Sequence, residues 1–428
     1  LCAEERDAGQ ARPQREPVSR APASGAAPVE RAGPLTGLTV VEFAGLGPAP
    51  FAAMMLADQG ARVIRIDRPA PPRSAAARPA AAQEGAAGMA ALAERRNDLL
   101  ARGRESIALD LKRPAAREVA LRLVERADVL VEGFRPGVME SLGLGPEVCL
   151  ARRPSLVYAR VTGWGQSGPL ARVAGHDINF TALSGALHTA TRRGQPPTPV
   201  PGYIGDFGGG GMLAAFGIVS AVLAVRQGAP GQVIDAAISD GAALLGVLMQ
   251  GWRSAGLWSD EAGSNNGDGG APFYDAYECA DGKFISIAAM EPPFYALLRE
   301  KCGLTDADFD AQWDSRRWPA QKTRVAEVFR RRTRAEWCAL LEGSDVCFAP
   351  VLDFGEAPLH PHHQARGTFV TVDGRTQAAP APRFSATPAA ACPAVRPLAA
   401  DTLQLLGELG YDDAACAQLV AEGSAWHG

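Results

Sequence analysis

A strand–helix–strand pattern near the start of the chain constrains its fold more than any other feature. An apolar run of strand length at 38–43 is followed by a glycine-containing turn, a segment with helical spacing at 48–60 and a strand-like run at 62–67. The alternation continues, with a helical segment at 114–127 and strand-like runs at 129–132 and 156–161. Strands alternating with helices predict an α/β fold, with a Rossmann-like parallel sheet in a large domain.

The pattern of predicted secondary-structure elements changes after the strand-like run 233–237. Two strand-like runs around a tight turn at 280–282 form a hairpin pattern, and helical segments follow it. We therefore expect a disordered tail at 1–33, a large α/β domain at 34–231 with a flexible insertion at 70–100, a linker at 232–273, a small α+β domain at 274–366 and a return segment to the large domain at 367–428.

The charge and composition of the chain limit the kinds of partner that it can bind. The chain has 43 basic and 47 acidic residues, so it lacks the basic excess of a nucleic-acid-binding protein. Residues 207–225 are apolar and long enough to span a membrane. Because this run opens with four glycines, which form helices poorly, we predict a buried core helix and no membrane partner. Eight cysteines without a CxxC pair indicate free thiols in a reducing compartment, and we expect the cytoplasm.

The first turn of the α/β pattern carries part of a dinucleotide fingerprint. Gly45 and Gly47 follow a strand, and Asp67 ends the next strand. Pro50 stands where the third small residue is expected, and Arg68 would suit a phosphate on a ribose. Two interpretations stay open: a sharp strand–helix turn without a ligand, or a nucleotide contact. The hypothesis that the protein is an NADP-dependent dehydrogenase depends on this turn alone.

Three polar positions are candidates for chemistry. His176 precedes a segment with helical character, so unpaired N–H groups of a first helical turn could stabilise an oxyanion beside it. A packing role for the His176–Asp177 pair is the alternative. Asp206 precedes four glycines, and either caps a helix or serves as acid, base or nucleophile beside a bulky ligand on bare backbone. Glu291 is either a helix-start charge or a group that orients a histidine across a boundary.

Many segments in one order carry a resemblance to a known family. They are residues 35–42 (LTGLTVVE), 61–69 (ARVIRIDRP), 109–112 (LDLK), 132–138 (EGFRPGV), 163–169 (GWGQSGP), 175–180 (GHDINF), 205–210 (GDFGGG), 268–274 (DGGAPFY) and 291–292 (EP). From about Pro34 to about Ser385 the sequence resembles the 2-methylacyl-CoA racemases of the family III CoA-transferase superfamily. The resemblance departs at Glu105 and Ser141, where the family often has a basic residue.

The resemblance implies an interlocked homodimer, with each site between the large domain of one chain and the small domain of the other. It assigns His176 and Asp206 as the two acid/bases, Glu291 as a support for His176 from the partner, and Asp177 to a place beside the thioester oxygen. It implies that the substrate contacts comprise Arg68, Leu109, Asp110, Leu111, Lys112 and Arg135, which face coenzyme A, and Gly175, Ile178, Asn179 and Phe180 around the histidine.

The implied reaction is epimerisation of the carbon next to a thioester, a step of branched-chain fatty acid metabolism. One group removes the α-proton, a second delivers a proton to the opposite face, and the enolate oxygen needs donors. The acyl-CoA substrate brings its own coenzyme, so we expect no separate cofactor and no metal. His360, His362 and His363 surround Pro361 and predict a polar turn rather than a metal site.

Two alternatives within coenzyme A biochemistry stay open. A family III transferase would use the Asp206 carboxylate as a nucleophile and form a mixed anhydride. Transferases of this family usually lack a histidine at the position of His176, which favours racemisation. A non-catalytic acyl-CoA-binding protein is the other alternative, and the departures at Glu105 and Ser141 are its basis.

Overall fold

A seven-stranded sheet forms the centre of the large domain in the computed structural model, which describes residues 31–69 and 95–427. Its strands are β1 (Thr39–Phe43), β2 (Arg62–Asp67), β3 (Arg104–Leu109), β4 (Val129–Glu132), β5 (Val157–Thr162), β6 (Gln232–Ala237) and, at the end of the chain, β12 (Ala425–Trp426). The order across the sheet is β12-β3-β2-β1-β4-β5-β6. All neighbours pair in parallel except β12, which pairs antiparallel with β3. The predicted parallel α/β sheet is confirmed.

Helices cover both faces of this sheet, which explains the continuous apolar runs of its strands. The described helices between residues 39 and 254 are α1 (Pro48–Asp58), α2 (Pro114–Glu125), α3 (Val138–Ser141), α4 (Pro146–Arg152), α5 (Asp177–Leu183), α6 (Ala186–Thr189), α7 (Leu213–Arg226), α8 (Ile238–Leu245) and α9 (Val247–Ser254), and the faces of the sheet pack against α1, α2, α3, α4 and α7. Successive strand residues enter opposite cores: Val41 packs in the layer that contains α2 and α4, and Val40 packs in the layer that contains α1 and α7.

The small domain is built on a three-stranded antiparallel sheet. Its strands are β7 (Tyr274–Glu278), β8 (Phe284–Ala288) and β9 (Phe348–Pro350), in that spatial order. Helices α10 (Pro292–Cys302), α11 (Trp318–Phe329) and α12 (Arg334–Leu341) pack on it. Its core is strongly aromatic, since the ring of Phe329 lies 5.3 Å from that of Tyr277 and 4.9 Å from that of Trp337. Gly282 has a φ of 71° in the predicted hairpin turn.

The chain then returns to the large sheet, as expected for 367–428. After α13 (Pro361–Arg366) come the hairpin β10 (Phe369–Val372) and β11 (Arg375–Ala378), then α14 (Thr402–Glu408) and α15 (Asp413–Ala421). A buried carboxylate fixes this return, because Asp401 Oδ2 accepts the backbone N–H of Ser106 at 2.8 Å.

The expected boundary between large domain and linker is wrong. Residues 232–237 form β6, which pairs along its whole length with β5, so the sheet continues past 231 into the segment expected to be a linker at 232–273. The same segment contains α8 and α9. The strand was visible in the sequence, but only its hydrogen bonds to β5 assign it to the large domain.

Parts of the expected tail and insertion are ordered against the large domain. Residues 1–30 and 70–94 lie outside the described residues. Ala32 O, within the expected tail at 1–33, accepts the backbone N–H of Ala390 at 3.2 Å. Arg95, within the expected insertion at 70–100, donates to Asp67 Oδ1 at 2.7 Å. Two 3₁₀ turns, Arg95–Asn97 and Leu99–Ala101, lie at the end of this expected insertion and lead into β3.

The apolar run 207–225 is only partly a core helix. A π-helical segment, Tyr203–Met212, leads into α7, and the two form one helix long and apolar enough to span a membrane by length and composition. Only 39% of its most apolar 18-residue window is buried. Ile218 faces the core, whereas Phe216 is 70% exposed. The prediction of a buried core helix therefore holds for one face and is wrong for the other.

Candidate active site

A cavity of about 800 Å³ opens where the parallel strands end. It is lined by the turn 44–48 after β1, the loop 133–136 after β4 and the segment 161–164 at the end of β5. His176 and Asp206 line the same cavity. Ligand sites of open α/β sheets lie outside the carboxyl ends of the strands, and this volume accommodates a drug-sized ligand.

His176 is the residue immediately before α5, as predicted. Its backbone has extended dihedral angles, and its N–H donates to Asn179 Oδ1 at 3.0 Å. This bond fixes the first turn of α5, so the Asn179 side chain serves the helix start. Phe180 is buried against the Trp164 ring at 4.7 Å and lies where a side chain on Gly163 would be. The imidazole itself is exposed at the cavity wall.

Asp206 lies inside the π-helical segment rather than at a helix N-cap. Its backbone N–H donates to Asp177 Oδ1 at 2.8 Å. Its own Oδ2 lies 3.3 Å from the position that a Cβ on Gly47 would occupy, and Gly47 has a φ of 71°. The glycine turn of the partial fingerprint therefore makes room for the Asp206 carboxylate. The interpretation of Asp206 as a helix cap is wrong, because Gly202 occupies that position.

The four glycines after Asp206 serve close packing between helices. A Cβ on Gly209 would lie 2.5 Å from the Ala242 nitrogen of α8, and one on Gly211 would lie 2.7 Å from Phe51 of α1. The expectation that a bulky ligand lies against this bare backbone is therefore wrong. Neighbouring helices fill the space, and the glycines let α1 and α8 approach the segment that carries Asp206.

The protonation of Asp206 is shifted toward neutral pH. Burial, and next the negative charge of Asp177, raise the pKa of Asp206 to about 6, and the nearby His176 opposes this with a lowering effect. A carboxyl group with this pKa is present in both protonation states near the pH at which an imidazole titrates. The Asp206 carboxyl group can therefore both accept and donate a proton near neutral pH.

Asp177 supports Asp206 from the first turn of α5. Its carboxylate accepts the Asp206 N–H, and Oδ1 would lie 2.3 Å from a Cβ on Gly205. Because no larger residue than glycine fits at 205, the close approach of these two acidic residues is built into the backbone. The Asp177 N–H belongs to the first helical turn, where N–H groups lack intrahelical acceptors.

The expected substrate contacts divide into two groups. Arg68 and Arg135 are exposed at the cavity, and Gly175 and Phe180 line it as well. The rest of the expected contacts lie outside the described cavity wall, and they are Leu109, Asp110, Leu111, Lys112, Ile178 and Asn179. Leu109 is 1% exposed in the core, so a contact from its side chain to coenzyme A is excluded in this conformation.

Glu291 is also outside the described wall of this cavity. It is the exposed N-cap of α10 in the small domain. There, burial and next the charge of Glu291 raise the pKa of Cys347. Within one chain the structure does not bring Glu291 to His176.

Asp67 does not have the role that a dinucleotide fingerprint requires. It is buried and accepts three hydrogen bonds, from Ser106 Oγ at 2.7 Å, Arg95 at 2.7 Å and Arg65 Nε at 3.1 Å. A ribose hydroxyl cannot displace these partners without leaving buried donors unpaired. The acidic residue of the partial fingerprint is therefore not available to a ribose hydroxyl.

Sequence reasoning missed Arg65 in the cavity wall. This side chain is buried, lines the cavity and is paired with Asp67 and Asp98. Charged residues at 65 and 67 in a strand of a parallel sheet were the available signal, because such strands are normally apolar on both faces.

The two family departures lie away from the cavity wall. Glu105 is buried and forms an ion pair with Arg62 at 2.6 Å, and Ser141 Oγ donates to Val138 O at 2.7 Å.

His360 Nε2 is 2.7 Å from Glu342 Oε1, as in a polar turn. Among residues 31–69 and 95–427, no three His, Cys, Asp or Glu side chains are grouped so that they could hold a metal ion.

Comparison with known proteins assigns the chain to a family. A sequence model described as CoA-transferase family III matches residues 35–401. The chain belongs to CoA-transferase family III. Relatives within this family include the mouse alpha-methylacyl-CoA racemase, which is 43% identical over 90% of this chain and 96% of its own length. The human alpha-methylacyl-CoA racemase is also 43% identical, over 83% of this chain and 87% of its own length.

Solved structures agree on the fold. The crystal structure of a CAIB/BAIF family protein from Brucella suis superposes with a TM-score of 0.73, covers 89% of this chain and all of that chain, and is 24% identical in sequence. At this identity the likeness supports the family III fold and carries no information on the reaction.

Proposed function

We propose that this family III protein epimerises the α-carbon of 2-methylacyl-CoA thioesters by transferring a proton from one face to the other. The racemases of mouse and human are its relatives at 43% identity over most of the chain. The observation that carries the proposal is that His176 and Asp206 line one cavity, with the pKa of Asp206 at about 6. Two acid/base groups of different chemistry are what inversion of a carbon acid requires.

The reaction consists of two proton transfers around an enolate. In one direction the Asp206 carboxylate removes the α-proton, the electron pair moves onto the thioester oxygen, and the imidazolium of His176 delivers a proton to the opposite face. In the other direction neutral His176 is the base and protonated Asp206 is the acid. Before and after each turnover, His176 and Asp206 together hold one proton. During the turnover this proton changes from one of the two groups to the other. Exchange of that proton with water prepares the pair for the next substrate.

The enolate oxygen requires hydrogen-bond donors. The backbone N–H of Asp177 belongs to the first turn of α5 beside His176, and we assign it to this role. A well-placed donor of this kind is typically worth about 3–4 kcal/mol of transition-state stabilisation. Neither a metal ion nor a separate cofactor takes part in this scheme.

We assign the coenzyme A portion of the substrate to the part of the cavity wall that carries Arg68 and Arg135. Arg68 and Arg135 present exposed guanidinium groups there, and guanidinium is suited to phosphate. In the stretch 109–112, Lys112 is the member with an exposed cation, so we assign its contribution to phosphate rather than to the acyl chain.

We also propose that the working form is a homodimer in which Glu291 of a second copy approaches His176. Helices α7, α8 and α9 expose a set of large apolar side chains that comprises Phe216, Leu223, Leu244, Leu245, Val247 and Leu248. Exposed large apolar side chains in such number are typical of an interaction surface. A second copy, rather than a membrane, is the occupant that also completes the site with Glu291.

The free thiols of the seven described cysteines fit a reducing compartment such as the cytoplasm.

A second candidate follows from the family itself. As a CoA-transferase, the chain would use the Asp206 carboxylate as a nucleophile on the thioester and release coenzyme A from a mixed anhydride. The presence of His176 in the same cavity favours proton transfer over this step, because it supplies the second acid/base that epimerisation requires and anhydride formation does not.

One experiment separates the two functions. A single epimer of a 2-methylacyl-CoA is incubated with the enzyme in heavy water and followed by NMR, while a parallel sample receives hydroxylamine. We expect deuterium at the α-carbon, both epimers in the product and no hydroxamate on the protein. An aspartyl hydroxamate without α-deuterium would contradict epimerisation and assign the chain as a transferase.

A further inference from the structure

The loop that carries Arg135 is tied at both ends by one buried side chain. This loop, residues 133–137, connects β4 to α3, and residues 133–136 line the cavity. Gly137 ends it with a φ of 92°. Loops with few backbone hydrogen bonds need other anchors if they are to keep one shape. The anchors lie just outside the loop, at Glu132 before it and Glu140 after it.

Glu132 holds the first end. Its side chain is 0% exposed, Oε2 accepts the backbone N–H of Phe134 at 2.7 Å, and Oε1 accepts Nε of Arg160 at 2.9 Å. Both carboxylate oxygens are therefore used, one for the loop backbone and one for a guanidinium on the neighbouring strand β5. A buried carboxylate with two such donors is a fixed point rather than a mobile surface charge.

Arg160 extends this anchor to the second end of the loop. Its Nη1 and Nη2 donate to Glu140 Oε1 at 2.8 Å and Oε2 at 3.2 Å. The guanidinium thus lies between two carboxylates that are eight residues apart in sequence, one on β4 and one on α3. The Glu140 side chain is 46% exposed, so this outer contact is weaker than the buried contact to Glu132.

We infer that Glu132 and Arg160 are positioning residues that set the affinity for the nucleotide part of coenzyme A, by holding Phe134 and Arg135 in the cavity wall. The inference extends the proposed function, because it relies on coenzyme A binding in this cavity. The hydrogen bonds of Glu132 and Arg160 fix the loop that carries Arg135, so we expect an effect on the phosphate-bearing half of the ligand.

Glu132→Gln tests the buried contact with a change of one atom. Glutamine has one acceptor and one donor where glutamate has two acceptors, so its NH₂ must face either the Phe134 N–H or the Arg160 Nε–H. One buried donor is then left without a partner, and movement of the loop relieves this penalty. Glu140→Gln is the matched control, since solvent replaces the lost contact at the exposed end.

The experiment measures binding of coenzyme A and of pantetheine, which lacks the nucleotide, to the full chain by calorimetry. For Glu132→Gln we expect coenzyme A to bind roughly tenfold or more weakly, with pantetheine affinity unchanged and kcat within about twofold of wild type. Glu140→Gln should change coenzyme A affinity by less than about threefold. Equal weakening of both ligands would overturn the inference, because it would show a general effect on the site.

A second variant covers the case in which Glu132→Gln does not fold. Arg160→Lys retains the charge beside Glu132 but cannot bridge two carboxylates. It should weaken coenzyme A severalfold and leave pantetheine unaffected, and unchanged coenzyme A affinity would overturn the inference. This test measures binding and does not depend on the reaction. If wild-type protein bound coenzyme A but did not exchange the α-proton, the proposed reaction would be contradicted, and the effect of Glu132 on coenzyme A affinity could still be measured.

Discussion

The backbone N–H of Asp206 donates to Oδ1 of Asp177, and the Asp177 charge adds to burial, the larger cause, in raising the pKa of the Asp206 side chain. One acidic residue therefore both places the second acid/base and adjusts its protonation. Asp177→Asn should separate these effects, because asparagine retains an acceptor and removes the charge. We expect the acid limb of the pH profile of kcat/KM to move to lower pH. An unchanged limb would show that Asp177 acts through geometry alone.

The pH dependence of the wild-type reaction follows from the shared proton. The active enzyme has one proton on the pair, so activity is lost at low pH when both groups are protonated and at high pH when neither is. With the Asp206 pKa at about 6, the acid limb should lie near or below pH 6. Because the equilibrium between epimers is independent of pH, kcat/KM measured from either epimer should give the same two limbs. A profile with only one limb would contradict an active form that has a single proton on the pair.

The raised pKa also predicts a cost in stability. The folded protein binds a proton on Asp206 more tightly than the unfolded chain, so this group destabilises the fold as pH rises from about 3.8 to about 6. The shift in the pKa of Asp206 corresponds to a loss of at most about 3 kcal/mol in the free energy of unfolding, and partial exposure of the side chain reduces this loss to roughly 1 kcal/mol. Asp206→Asn should therefore be more stable than wild type at pH 7 and equally stable near pH 4, by denaturant unfolding. A gain that is equal at both pH values would assign it to packing.

The glycines after Asp206 provide a test of the packing argument. Gly209→Ala places a Cβ 2.5 Å from the backbone nitrogen of Ala242, and we expect a loss of about 2–3 kcal/mol or more in unfolding free energy. Gly251→Ala in α9 is the control, because nothing lies within 4 Å of its Cβ position, and helix propensity predicts a gain of about 0.5–1 kcal/mol. Similar effects of the two substitutions would mean that α8 does not pack closely on the π-helical segment.

The proposed dimer predicts complementation between inactive proteins. His176→Ala and Glu291→Ala are purified separately, mixed, dissociated and reassembled. If His176 and Glu291 of different copies meet, each heterodimer contains one intact site and one doubly altered site, and random exchange should restore about a quarter of wild-type activity. If both residues act within one chain, every site has a defect and activity stays at the level of the separate variants.

Local sequence patterns predicted the parts of the fold that depend on local physics. The alternation around 38–67 gave β1, α1 and β2, because strand and helix periodicities differ. His176 was placed correctly at a helix start, since the helix that follows it is short and regular. The two main acid/base candidates share a cavity, as the resemblance implied.

Features that depend on contacts between distant segments were not predictable in this way. The assignment of β6 to the large sheet rests on hydrogen bonds to β5, and the role of Gly209 rests on the approach of Ala242. Leu109 was placed at the ligand by resemblance but is a core residue, because its side chain points into the layer that contains α2. The network of Glu132 and Arg160 joins two strands whose pairing the sequence does not state.

The central claim is that His176 and Asp206 act on opposite faces of one carbon, and single-turnover exchange in heavy water tests it most directly. His176→Gln and Asp206→Asn are each given the R and the S epimer of a 2-methylacyl-CoA, and α-deuterium is measured by NMR. We predict that each variant loses epimerisation yet exchanges the proton of one epimer only, and that the two variants exchange opposite epimers. Exchange of both epimers by either variant, or epimerisation at the wild-type rate, would contradict the claim.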